Sequence, residues 1–413
     1  MKIKRYQFNR IPFVSIVDDF DCPVCPYVST YLSTLTGQSF NTQLRKANEL
    51  FFVLSYFQKT NIDLVVRIQS GELISNKEYL QFYLASTSKK NSAEDSLAVP
   101  HIISDKALRN AISANKSQLV RVSNETQLGR IRRLRDYMED LFKHFHDSYS
   151  VGKDIVDRFD RLTAAIKLDE KSLGGNKSQY VGDPSDSVIP DDLFCRLLEI
   201  IRPSSNDNPF KGSKVRNYLI VSILIQSGIR RGALAKLKIS DFHFQKNYDA
   251  ISIYRSGVDP TDPRLEKPNQ KTKSHLATIS PELMGQIKYY VDYVRGEIPR
   301  EEEHDFIFVS EKGSRGTLGH PISLKSVNAI FHVLSKAIGF HIYPHLLRHK
   351  WNEIFDKAGT EKGIDPRLLE DIRKYAMGWS ETTEMAGTYN DKRLAEKAKE
   401  LSKAHQKRVD DQR

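Results

Sequence analysis

The stretch Tyr343–Phe355, YPHLLRHKWNEIF, sets two histidines and an arginine into one short segment. His345 and Arg348 stand at i and i+3, so on a helix both project from the same face. Pro344 suits the first position of that helix, where unsatisfied backbone N–H groups favour an anion. Three other places carry groups that fit this chemistry. In QSGIRRGALAKLKISDF, Arg230 follows a helix-ending glycine, Gly228. In NQKTKSHLATIS, Lys271 opens a strand in a hairpin-like setting, with Lys273 two residues on. In MGWSETTEMAGTYND, Trp379 is followed ten residues later by Tyr389. No cysteine or carboxylate is arranged with the histidines to make a metal site. The set is one of cations, an imidazole and a phenol, which suits an anionic ligand.

In this order and at these intervals the residues resemble the signature of the tyrosine recombinase (phage integrase) family of DNA strand-transfer enzymes. That signature is an arginine in a G-x-R turn, a strand lysine, H-x-x-R-H, a G-H or G-W pair, and a tyrosine. Here it reads Gly228-Ile229-Arg230, Lys271, His345-Leu346-Leu347-Arg348-His349, Gly378-Trp379 and Tyr389, over roughly Pro190 to Asp391. The resemblance implies a site-specific DNA recombinase, an integrase of a mobile genetic element. Such an enzyme cuts and rejoins strands through a covalent 3′-phosphotyrosine, with no metal, ATP or other cofactor. Three departures stand out. Ala233 occupies the place of the family's usual glutamate, three residues after the first arginine. The interval from Trp379 to Tyr389 is ten residues where many members have nine. Arg231 and Lys273 are adjacent rivals to Arg230 and Lys271.

These groups make physical sense for attack on a phosphodiester. Arg230 and Arg348 clamp the phosphate and stabilise the charge that builds on its non-bridging oxygens. Arginine suits this better than lysine because its fork is planar and always charged. His345 accepts the Tyr389 proton. Lys271 protonates the leaving 5′-oxygen. Trp379 offers its indole N–H towards the phosphate and packs the site; His349 supports His345 and Arg348. Two other readings share part of the signature: a type IB topoisomerase, and a catalytically silent DNA-binding regulator derived from a recombinase. The H-x-x-R-H motif with a helical N-terminal part favours the recombinase over the first. The presence of the tyrosine and both arginines favours it over the second.

The elements that must position these groups can be read from pattern and composition. A length of 413 residues predicts two domains. Formal net charge is +11, from 63 Lys plus Arg against 52 Asp plus Glu, and that excess favours a polyanionic partner. The longest apolar run, Tyr218 to Ile225, is interrupted by Ser222 and falls far short of the roughly 20 residues that span a bilayer. The basic N-terminus runs through a short apolar patch directly into acids, which does not read as a signal peptide. A cytoplasmic protein without membrane contact is therefore expected. The cysteine count is three, and Cys22 and Cys25 form a lone CxxC, so neither a disulfide framework nor a zinc site is expected.

Helices are predicted over Thr42–Thr60, Asn76–Ser86 and Asn124–Phe145. In the last, Leu128, Ile131, Leu134, Met138, Leu141 and Phe145 form one apolar face. Off that face lie Arg130, Arg132, Arg133 and Arg135, with only Glu125 among them and Arg121, so contacts to DNA phosphates are expected there. Gly, Ser, Asp and Lys dominate Leu168 to Ile189, which reads as a linker. The expected organisation is an N-terminal extension (1–25), an all-helical core-binding DNA-binding domain (26–167), the linker (168–189) and a catalytic domain with a C-terminal helix (190–413). The fold class is mainly α, with a small antiparallel β-sheet from strands near 249–256 and 274–280. The resemblance further implies a C-shaped clamp on duplex DNA bearing core sites, closed by the linker near Gly174 and Gly175. It also implies a homotetramer in the synaptic complex, a C-terminal helix docking onto a neighbour, and a possible accessory directionality factor.

Overall fold

A computed structural model describes residues 1–9, 11–88, 121–146, 152–175, 188–244, 250–255, 259, 261–270, 272–313 and 316–380. The chain divides into two compact units, Met1–Tyr180 and Val181–Arg413. The described residues are mostly helical, with two small antiparallel sheets of two strands each.

The first unit opens with a hairpin of β1 (Lys2–Phe8) and β2 (Ile11–Val17), paired from Lys2↔Val17 to Phe8↔Ile11. Asn9 takes a left-handed conformation (φ 47°) at its turn, as short hairpin loops demand. Sequence reading assigned no strand here, only an N-terminal extension (1–25). The misreading is physical: β2 is buried along nearly its whole length, so FVSIV shows an apolar run without alternation.

Five helices follow: α1 (Pro26–Ser33), α2 (Phe40–Lys59), α3 (Leu64–Gln69), α4 (Asn76–Ala85) and α5 (Asn124–Phe145), with α6 (Lys153–Gly175) after them. Ser39 caps α2 by accepting from the Thr42 amide, and Ser75 with Glu78 forms a reciprocal capping box on α4. Helix α5 packs against α1, α2, α3 and α6. Ile131, Leu134, Met138 and Leu141 are fully buried, as their spacing predicts. Helix α6 runs on to Gly175, so the first part of the expected linker, Gly174 and Gly175 included, is helical.

The arginines of α5 lie in a different environment from the one expected. Surrounded by four helices, α5 is buried on more than its apolar face. Arg130 donates to the Ser86 and Ser88 carbonyls at 2.7 and 2.8 Å and lies over the Phe52 ring. Arg133, 2% exposed, donates to Glu49 at 3.1 Å, to Asp136 at 2.9 Å and to the Tyr31 hydroxyl. Arg135 pairs with Glu170 at 2.6 Å and Glu139 at 2.9 Å. Arg132 alone is well exposed, and it reaches Glu170 at 3.3 Å. The expectation of a phosphate-binding row is corrected: Arg130, Arg133 and Arg135 are interior struts, because a buried guanidinium is tolerable only with its donors satisfied.

In the second unit, Pro190 precedes α7 (Asp191–Ile200), whose first turn carries Asp191 and Asp192. Helix α8 (Lys214–Ser227) is central. Leu219, Ile220, Val221, Ile223 and Leu224 are buried around its circumference, and each such residue contributes about 1.5–3 kcal/mol. Against it pack α9 (Arg231–Lys236), α10 (Pro281–Tyr289), α12 (Pro344–Glu361) and strand β4 (His275–Thr278). Strand β3 (Ala250–Ile253) pairs with β4 from Ala250↔Thr278 to Ile253↔His275, the small sheet expected. Helix α11 (Leu324–Ile338) packs on α7 and α9, and α13 (Pro366–Met377) on α12 and β4. No helix among the described residues is long and apolar enough to cross a membrane.

Burial of the α5 arginines has a measurable consequence. Arg133→Ala strands the Glu49 carboxylate in the interior, and loss of one partner of a buried pair costs about 3–5 kcal/mol. Arg132→Ala changes stability by about 0.5 kcal/mol or less, as at other surface positions. Denaturant titration of both variants checks this; equal, small losses would put Arg133 at the surface instead.

Candidate active site

The site is assembled where α8, α12, α13 and β4 meet, and Gly228 is its hinge. Gly228 ends α8 in a left-handed conformation (φ 61°). A β-carbon there would lie 2.6 Å from Met377 Cε and 2.9 Å from Trp351 Cδ2, so glycine is required for space as well as for conformation. The chain then extends through buried Ile229 to half-buried Arg230 (φ −76°, ψ 150°), the residue just before α9.

Helix α12 begins after an extended Tyr343 with Pro344 in its first turn, as expected. His345 and Arg348 follow on one face. Arg348 is 2% exposed and donates from Nη1 to the Gly228 carbonyl at 2.7 Å. Its guanidinium lies over the Trp379 ring at 5.5 Å, a contact worth about 0.5–2 kcal/mol depending on desolvation. Trp379 is held in turn: it is buried with Met377 and Trp351, and its amide donates to the Lys374 carbonyl at 2.9 Å. The His345 and His349 rings meet edge to face at 4.6 Å.

Arg230, Arg348, His345 and Trp379 are thus brought together. Of the adjacent arginines, Arg230 is the one whose charge acts on His345, while Arg231 donates to Asn328 on α11. Ala233 is buried in the core and supplies no carboxylate. Lys273 is exposed beside the Gly378 turn, its amide donating to the Gly378 carbonyl at 2.8 Å. Lys271 and Tyr389 lie outside the described residues. Among the described residues, no group of three or more His, Cys, Asp or Glu side chains could hold a metal ion; Cys22 and Cys25 are free thiols at the start of α1.

Sequence reading missed His275. It sits at the start of β4, two residues past Lys273, whose carbonyl accepts from its ring at 3.1 Å. The charges of both Arg348 and Arg230 act on it. The signal was present in KTKSHLATIS, where the lysines drew the attention.

The electrostatics follow from this crowding of cations. His345 is open to solvent on one side, yet partial desolvation, and then the neighbouring His349, Arg348 and Arg230, push its pKa down to about 4. Burial, with smaller effects from Arg348 and Arg230, also lowers His275, against the opposing pull of its bond to the Lys273 carbonyl. Both imidazoles are neutral at pH 7. An imidazole depressed by folding binds its proton more tightly in the unfolded chain, so stability is lost as pH falls from about 6.5 to about 4. NMR titration of the His345 ring is expected to show a midpoint near 4 that rises when Arg230 is replaced by Ala. A midpoint at the ordinary histidine value would mean that the guanidiniums lie elsewhere.

Residues 196–396 match the phage integrase family. The tyrosine recombinase XerA of Pyrococcus furiosus is 28% identical over 163 residues, which cover 40% of this chain and 47% of that protein. The type 1 fimbriae regulatory protein FimB of Escherichia coli K12 is 27% identical over 177 residues, 42% of this chain and 73% of FimB. Transposase A of transposon Tn554 from Staphylococcus aureus is 29% identical over 134 residues, 32% of this chain and 34% of the transposase. The chain therefore spans about half the length of XerA, and the matches lie within less than half of its own. Among solved structures, the XerH recombinase bound to a palindromic difH substrate aligns over 78% of this chain and 76% of its own, at 16% identity and TM-score 0.44. A lambda integrase dimer bound to a COC′ core site aligns over 78% and 90%, at 15% identity and TM-score 0.38. That match spans the very residues that carry the five-part signature, so residues 196–396 form a domain of the tyrosine recombinase (phage integrase) family.

Proposed function

We propose that the chain is a site-specific DNA recombinase that cuts and rejoins strands through a 3′-phosphotyrosine at Tyr389, with no metal or nucleotide. The observation that carries this reading is the fixed pair of guanidiniums, Arg230 and Arg348, beside a neutral His345. Arg348 is oriented from behind by the Gly228 carbonyl and the Trp379 ring. Two preorganised cations are what a pentacovalent phosphorane needs, since charge develops on the non-bridging oxygens before any new contact can form.

The steps balance without a cofactor. The Tyr389 oxygen forms a bond to phosphorus as the bond from phosphorus to the 5′-oxygen breaks. The phenolic proton passes to His345, which is unprotonated at pH 7. The leaving 5′-oxygen takes a proton from Lys271 or Lys273. A 5′-hydroxyl from another strand then attacks the phosphotyrosine and releases Tyr389, so the diester bond energy is preserved. A base with a pKa near 4 is weak in the empty site, but an arriving phosphodiester carries a negative charge that raises it. His345 thus becomes a competent acceptor when substrate is bound.

Strand exchange between two duplexes requires four cuts, and so four copies of this site. We propose a homotetramer on paired core sites, with its direction set by an accessory factor. The positive net charge of +11 supports a DNA partner.

On a duplex nicked beside the cleavage site, the protein should accumulate a denaturant-resistant adduct in the presence of EDTA. Tyr389→Phe abolishes the adduct while DNA binding persists, and Arg348→Ala lowers cleavage by at least about 10²-fold, as loss of one oxyanion donor does elsewhere. Peptide mapping identifies the modified residue. An adduct on another tyrosine, or one that forms only with Mg²⁺, would overturn this mechanism. Relaxation of supercoils without strand exchange would favour the topoisomerase reading.

A further inference from the structure

The strand entry that carries the lysines meets the Gly378–Trp379 turn at a single joint, and His275 closes it. The Lys273 amide donates to the Gly378 carbonyl at 2.8 Å. The Lys273 carbonyl, which can only accept, takes the Nδ1 proton of His275 at 3.1 Å. Lys273 is therefore tied at both its amide and its carbonyl. The His275 ring lies so close to Gly378 that a β-carbon on that glycine would come within 2.4 Å of Nδ1 and 2.6 Å of the Lys273 carbonyl oxygen. Gly378 is also left-handed (φ 62°), which leaves little latitude in the turn. Across the sheet His275 faces Ile253, an uncharged partner. The cations that act on it are Arg348 from α12 and Arg230 from the turn between α8 and α9.

We propose that His275 is a positioning residue of the cleavage site: by holding the Lys273 carbonyl and packing on Gly378, it fixes the lysine-bearing strand entry in register with Trp379 and Arg348. The inference rests on the recombinase reading above and deepens it. The group delivered is the ammonium, of Lys271 or Lys273, whose proton goes to the 5′-oxygen as its bond to phosphorus breaks. A register error at this joint moves that ammonium away from the leaving oxygen and leaves the two arginines in place. Burial and the nearby guanidiniums lower the imidazole pKa, so at pH 7 the ring carries one proton and its Nδ1 bond to the carbonyl defines the tautomer.

The discriminating test varies the leaving group. The DNA flanking the gene is sequenced for a repeated core site, and two nicked duplexes are built on it, one with the natural 5′-oxygen at the scissile bond and one with a bridging 5′-sulfur. A thiolate leaves without being protonated, so the sulfur substrate does not need the ammonium. His275→Ala is expected to slow adduct formation on the oxygen substrate by about 10²-fold, the usual effect of misplacing a reacting group by about 1 Å. On the sulfur substrate it should react at close to the wild-type rate, with DNA affinity unchanged. His275→Asn, whose amide still donates to a carbonyl, should recover part of the oxygen rate; it also carries the test if the Ala variant does not fold. Wild-type speed on the oxygen substrate, or an equal loss on both substrates, refutes the role given to His275. Failure of the wild-type protein to form an adduct on either substrate refutes the recombinase reading instead.

Discussion

One buried guanidinium organises the second unit. Arg348 is 2% exposed, and a guanidinium taken out of water is tolerable only where acceptors and π-faces meet it in fixed geometry. The Gly228 carbonyl and the Trp379 ring do so from two different elements. Each makes its own demand on the sequence. Gly228 must end α8 left-handed and leave room for Met377 and Trp351, and Trp379 must follow a left-handed Gly378 at the end of α13. Three helices therefore converge on one side chain, and the same convergence brings Arg230 and His345 to it. Preorganisation of this kind is expensive to build but needs no rearrangement when charge develops on a substrate.

The residues of this site were legible in the sequence because much of their geometry is local. His345 and Arg348 share a helix face by spacing alone, and the glycine before Arg230 announces a helix end. Spacing could not choose between Arg230 and Arg231. The extended backbone at Arg230 separates them, sending one towards His345 and the other to Asn328. His275 was hidden for the opposite reason. Its significance comes from contact with Gly378 and two distant arginines, none of which is its neighbour in sequence.

The first unit shows where local counting misleads. From Arg121 to Arg135 the one acid is Glu125, so the helix read as an unbalanced, solvent-facing cationic row. Its counter-charges are Asp136 and Glu139 on the next turn, together with Glu49 and Glu170, which lie 84 residues before Arg133 and 35 residues after Arg135. A helix packed on four sides buries residues that a single apolar stripe would leave outside. The hairpin at the N-terminus escaped for a related reason: a strand covered on both faces loses the alternation that marks a strand.

The electrostatics of the cleft point to how binding and chemistry are coupled. Arg230 and Arg348 act on His345 and His275, and both imidazoles are held below their ordinary pKa. Among the described residues, the charged groups that shift the two rings are all cationic or imidazole side chains. On the proposed mechanism, an anion placed between the guanidiniums would offset the bias that keeps the imidazoles neutral, and would do so for His345 as that residue takes a proton. The same charge that positions the phosphate thereby adjusts the base.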